Sequence, residues 1–429
     1  MKLQSLIRVA LCALMLMFVT DGAMAQKKSG KDKEEVAYPN ATRKEPKPDM
    51  SEKSQRDLNK ANDLLSDSKD DEAVELIQKV LDDKRAKPYA IAFAHLLKGQ
   101  ILWGKDDGNG AITELNQAIE MDALPNANHF DAMYQVAQLQ LQEEKYPESL
   151  ATLDRWAREG GKNTADAQAI KANIYYRMDK FPEAAAEMTK AIGMTPEPKE
   201  SWFQILIASY FELDQYDQAA QVLQQQLAKD PKNKRLINQL ATVYINADKP
   251  DQAIAVMAKA KNEGLVSTGE DYLQLAKLYA SGDKHKEAAV VLKEGLDKGI
   301  IESGYEPWRL LGDVCSQADD ETCAIDAYAK ASPFAKDGYV DFQRGYALFY
   351  QERYAEAKQA LDAAIQKGGL RQEGEAYILR GDASDASGQS AAAIADWEKA
   401  TQFPSSKQMA DQRLKIVRSG QKLARPAKK

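Results

Sequence analysis

The sequence runs to 429 residues, 44% of them hydrophobic and 29% charged, with a net charge of −7. That balance supplies a packed core and is far too polar for a bundle of membrane spans. Alanine, leucine, glutamine, glutamate and lysine dominate while β-branched clusters and Asn-Gly turns are scarce, so the expected fold class is all-α.

The first 25 residues differ from the rest. Lys2 and Arg8 precede an apolar run from Val9 to Val19, and Ala23-Met24-Ala25 follows. This is the pattern of a secretory signal peptide cleaved after Ala25. The run is shorter than the roughly 20 residues a spanning helix needs. Export and a periplasmic location are the expectation. Residues 26–50 mix charge and proline with few large apolar side chains, which predicts a flexible charged linker.

From residue 51 to 404 one pattern recurs about ten times. A small residue stands at Ala73, Ala111, Ser149, Ala184, Ala219, Ala253, Ala288, Ala324, Ala357 and Ala393, at intervals of 33 to 38 residues. Twelve positions before each lies Ala61, Gly99, Ala137, Ala172, Ile207, Ala241, Ala276, Gly312, Gly345 or Gly381. Antiparallel helices approach closely only where facing side chains are small, so each pair marks the crossing of a helical hairpin. A large side chain follows four residues on, from Ile77 and Leu115 through to Tyr328, Leu361 and Trp397. One hairpin cannot bury its apolar face alone, and a stack of them can.

The spacing resembles the tetratricopeptide repeat (TPR) family. The residues that carry the resemblance are Trp308, Leu311, Gly312 and Ala324 in the eighth repeat and Ala172, Tyr175, Phe181, Ala184 and Pro196 in the fourth. Tyr216, Ala219, Leu223 and Pro231 match in the fifth. The resemblance implies a superhelical solenoid with a concave groove. Residues 405–429 complete it as a capping helix and basic tail, with Met409, Leu414, Ile416 and Val417 expected inward and the basic side chains outward.

Net charge divides as −16 over residues 51–410 and +6 over 411–429. An acidic body argues against nucleic acid as a partner, and membrane contact is expected at most at the periphery, through the tail. The three histidines, His95, His129 and His285, fall in different repeats, and no phosphate loop or nucleophile motif occurs. The expectation is a non-enzymatic scaffold with no cofactor and no metal. Cys315 and Cys323 flank one hairpin turn and should lie level across it, which favours a disulfide in an oxidising compartment.

In the TPR pattern first-helix residues around the crossing position line the groove. Here these include Gln138, Asn173, Arg177, Gln204, Asn238, Thr242 and Asn246. Amides serve both peptide N–H and C=O, so the groove suits a protein or an extended peptide. In the ninth repeat Tyr339, Phe342, Tyr346 and Phe349 share one helical stripe, with Tyr350 adjoining; the TPR resemblance accounts for aromatics at Phe342 and Phe349 and leaves the three tyrosines in excess, so this stripe is a candidate partner contact, with packing against adjacent repeats as the alternative. At a finer level residues 199–220 and 261–314, with the Gly368-Gly369-Leu370 turn, resemble periplasmic TPR proteins associated with bacterial TonB energy-transduction systems. That resemblance implies a helper of TonB, ExbB and ExbD in outer-membrane uptake of iron chelates or other scarce nutrients. The competing expectation is a scaffold for envelope assembly or polysaccharide export.

Overall fold

A computed structural model describes residues 37–421 and Leu423. The expected signal peptide, residues 26–36 and the last basic residues lie outside the described residues. The chain divides between Asn163 and Thr164 into two compact units, and every regular element among the described residues is helical. No described helix is long and apolar enough to cross a membrane.

The first unit holds three hairpins. They are α1 (Glu52–Ser66) with α2 (Asp70–Leu81), α3 (Pro88–Gly104) with α4 (Gly108–Glu120), and α5 (Asn126–Gln142) with α6 (Tyr146–Gly160). The second holds seven. Its first four hairpins are α7 (Ala165–Arg177) with α8 (Phe181–Gly193), α9 (Glu200–Glu212) with α10 (Tyr216–Lys229), α11 (Lys234–Asn246) with α12 (Pro250–Asn262), and α13 (Gly269–Ser281) with α14 (His285–Asp297). The rest are α15 (Tyr305–Gln317) with α16 (Glu321–Ala331), α17 (Tyr339–Tyr350) with α18 (Tyr354–Lys367), and α19 (Glu373–Ala386) with α20 (Ser390–Ala400), closed by α21 (Lys407–Arg418).

The small residues stand at the crossings. All ten second-helix positions from Ala73 to Ala393, Ser149 included, are fully buried, and so are their large partners, with Ile77, Leu115 and Trp397 at 0% exposure. At the glycine crossings a side chain would have no room. A Cβ on Gly99 would stand 2.7 Å from Leu115, and one on Gly381 would stand 2.6 Å from the Trp397 indole nitrogen. Where the first helix carries alanine, the facing residue is Ile77, Leu153, Met188, Met257 or Leu292. Burying each such side chain contributes about 1.5–3 kcal/mol. At Ser149 the crossing also carries a hydrogen bond, the hydroxyl donating to the Ala137 carbonyl at 2.6 Å.

One turn joins the helices of every hairpin. Its left-handed residue is Ser68, Asp106, Glu144, Asp179, Asp214, Asp248, Asp283, Asp319, Glu352 or Gly388. The next amide then donates to the carbonyl five residues back, as Lys180 does to Tyr175 and Asp320 to Cys315, both at 2.9 Å. This is the six-to-one bond that closes a helix C-terminus. Aspartate recurs there because, like asparagine, it tolerates the left-handed region better than most side chains with a Cβ.

First helices touch their successors at α1 and α3, α7 and α9, and α17 and α19, whereas no two consecutive second helices make a comparable contact among the described residues. Within each unit the first helices therefore form the inner layer.

Two stretches depart from expectation. Residues 37–45, assigned to a flexible linker on composition, instead lie against the third hairpin: Tyr38 is 5% exposed, and the Thr42 amide donates to the Glu159 carbonyl at 2.8 Å. One buried aromatic ring and a run of side-chain contacts offset the ordering entropy that composition alone does not cover. On α21, Ala410 and Leu414 are buried as the apolar seam, while Met409 is 45% exposed rather than inward. Arg413 turns inward rather than outward, with its Nη2 2.7 Å from Asp382, because that buried carboxylate needs a positive partner.

Candidate functional site on the first-helix layer

In the second unit the inner layer carries two groups of side chains. The polar group begins on α7, where Arg177 Nε donates to Asn173 Oδ1 at 3.2 Å. Gln204 on α9 accepts from Gln239 Nε2 at 3.1 Å. On α11 the Thr242 hydroxyl donates to the Asn238 carbonyl at 2.9 Å, and Asn246 Nδ2 donates to the Thr242 carbonyl at 2.8 Å. Several of these polar atoms are therefore tied to their own helix, which fixes their direction and leaves the Asn246 amide oxygen as an acceptor. Ile245 on the same helix is half exposed. Gln138 lies on α5, in the first unit.

The aromatic group sits on α17. Its start is clamped onto α18: the Gly338 amide donates to the Gly368 carbonyl at 2.8 Å, and buried Asp341 accepts from Lys367 and from the Ser332 hydroxyl, both at 2.6 Å. This clamp sets the rotation of α17 and so the direction of its tyrosines. The stripe then divides. Phe342 and Tyr350 pack partly buried against the ninth hairpin's core and Phe349 is buried within it, whereas Tyr339 and Tyr346 are 39% and 43% exposed. The Tyr346 ring lies 4.6 Å from that of Tyr350. Hydrogen bonding to Tyr350 and partial burial push the Tyr346 hydroxyl up to about 12.

Tyr339 has an internal partner that the sequence did not disclose. Its hydroxyl reaches Asp313 on α15 at 3.4 Å, where the carboxylate also accepts from Tyr328 at 2.9 Å and Arg309 at 2.6 Å. Burial pushes the Asp313 carboxyl upward despite these donors. Asp313 thus joins the eighth and ninth hairpins beneath the exposed rings.

Cys315 and Cys323 are bonded to each other across the eighth hairpin's turn, with Cα atoms 5.7 Å apart. Cys315 is fully buried. The three histidines go to separate places: His95 pairs with Glu114 at 2.6 Å, His129 is buried in the third hairpin, and His285 lies 3.8 Å from Asp283. Among the described residues no three His, Cys, Asp or Glu side chains group as a metal would require.

Ten hairpins with small–large crossings and a shared left-handed turn define a helical-repeat scaffold. Tetratricopeptide repeat-like and tetratricopeptide repeat family models match residues 47–209, 210–265 and 342–407, and the chain belongs to the tetratricopeptide repeat family. No curated protein matches it in sequence. Solved structures similar to it include a tetratricopeptide repeat protein from Parabacteroides merdae, 16% identical over 62% of this chain and 99% of that one, with a TM-score of 0.38. YrrB, described as a TPR protein with an unusual peptide-binding site, is 18% identical over 46% of this chain and all of that one, with a TM-score of 0.37. Naa15/Naa10 bound to HypK-THB is 11% identical over 84% and 65%, with a TM-score of 0.46.

Proposed function

We propose that this chain is a periplasmic, non-enzymatic scaffold that binds a protein partner through the inner layer of its second unit, and that it serves a TonB, ExbB and ExbD system in outer-membrane uptake. The observation that carries the binding site is the exposed pair Tyr339 and Tyr346 on a helix whose rotation is fixed by the Asp341–Lys367 clamp. Rigid aromatic side chains lose little entropy on contact and are enriched where interfaces gain their energy. The TonB assignment rests on the resemblance of residues 199–220 and 261–314, and the periplasmic assignment on the amino-terminal signal pattern.

A helper without chemistry of its own acts only through its partner. Deleting the protein should therefore impair growth where a nutrient enters by TonB-dependent uptake and leave growth on freely diffusing nutrients unchanged. A defect of equal size in every medium would contradict the uptake role and favour envelope assembly or polysaccharide export.

A further inference from the structure

The best-defined recognition contact in the first unit is one the chain makes with itself. The Tyr38 ring enters a socket on the third hairpin, 4.9 Å from Phe130 and edge-on to Trp156 at 6.3 Å, with the Lys162 ammonium 4.0 Å above it. Its hydroxyl donates to Asp131 at 2.8 Å and accepts from the Trp156 indole at 3.2 Å. Burial and Asp131 hold that hydroxyl protonated well above the ordinary tyrosine range. The next residues bind by backbone and charge. Thr42 donates its amide to the Glu159 carbonyl at 2.8 Å, and Arg43 reaches the Asp122 and Leu124 carbonyls at 3.0 Å each and the Asp122 carboxylate at 2.7 Å. Glu45 accepts from the Asn126 amide, at the start of α5, at 2.9 Å.

The hairpin is shaped for this segment. A Cβ on Gly160 would stand 3.2 Å from the Tyr38 ring, and one on Gly161, whose φ is +62°, would stand 2.4 Å from the Asn40 carbonyl oxygen. Yet the segment has no regular secondary structure of its own, and Pro46-Lys47-Pro48 separates it from α1. Arg43 Nε, Asn126 Oδ1 and His129 Nδ1 have no protein partner at the junction, so the segment is gripped less completely than a helix of the stack. An aromatic anchor in a preformed socket, followed by main-chain and arginine contacts, is how folded domains take up extended peptides.

We propose that the edge of the third hairpin is a peptide-binding site for an extended segment carrying tyrosine and, five residues on, arginine, and that residues 38–45 fill it in cis. The site stands apart from the tyrosine face of the second unit and does not rest on the uptake role. Occupancy in cis lowers the apparent affinity for a peptide in trans by the fraction of molecules with the site open.

The test uses the full chain, a Tyr38→Ala/Arg43→Ala variant, and a labelled synthetic peptide of residues 37–46. The variant should bind the peptide saturably, the unaltered chain about ten-fold more weakly or less, and a peptide with alanine for tyrosine should bind neither. A second variant, Thr42→Pro, removes one strap donor and leaves the hairpin untouched, and it should also gain binding if the double variant does not fold. A folded variant that ignores the peptide, or equal binding by altered and unaltered chains, would overturn the proposal.

Discussion

Gly312 on α15 faces Tyr328 on α16 so closely that a Cβ on Gly312 would stand 2.5 Å from the tyrosine ring. Tyr328 cannot swing away, because it is 3% exposed and its hydroxyl is held by Asp313.

Replacing Gly312 by alanine should therefore cost stability, by about 1–3 kcal/mol, even though alanine is the better helix former. Thermal melting checks this, and a Gly312→Ala/Tyr328→Leu double variant should lose less than the sum of the two single ones. Additive losses would mean that the crossing is not where these two residues meet.

The crossings could be read from the chain because each is a local pattern: a small residue, another twelve on and a large one four further, repeated ten times. The left-handed aspartates belong to the same local pattern and could have been found in the same way. The Tyr38 contact could not. Its partners lie 93 and 118 residues away, and the segment around it has the composition of a linker. The inward turn of Arg413 is hidden from the sequence for a similar reason, since a basic side chain is solvated by default and only the buried Asp382 draws it inward. The α17 stripe is legible as a stripe, but only the fold separates the exposed Tyr339 and Tyr346 from the packed Phe342 and Tyr350.

The disulfide should be detectable in protein isolated without reductant as a mass lower by two hydrogens, restored by reductant. Closing so short a loop should add about 2 kcal/mol. Two thiols that alkylate without reductant would contradict it.

Acid should loosen the first unit. Burial, reinforced by the Arg43 guanidinium, lowers His129 to about 4, whereas an unfolded histidine takes its proton near pH 6.5. Between about pH 6.5 and 4 the unfolded chain holds the extra proton, so stability falls as the pH drops through that window and levels off below it. Melting followed against pH should show a smaller decline in a His129→Gln variant. An identical decline in both proteins would show that His129 is not buried in its neutral form.

The proposed contact between the exposed tyrosine face of α17 and a component of the TonB complex can be tested in cells. A photoreactive residue placed at Tyr346 and activated in intact cells measures this most directly, with captured proteins identified by mass spectrometry. A crosslink to a periplasmic part of TonB, ExbB or ExbD is expected. In a competition format with the unmodified protein, Tyr339→Ala/Tyr346→Ala should weaken the contact by about 2 kcal/mol or more while leaving the helix content unchanged. Crosslinks confined to cell-wall or polysaccharide-export proteins, or a tyrosine-free face that competes as well as the original, would contradict it.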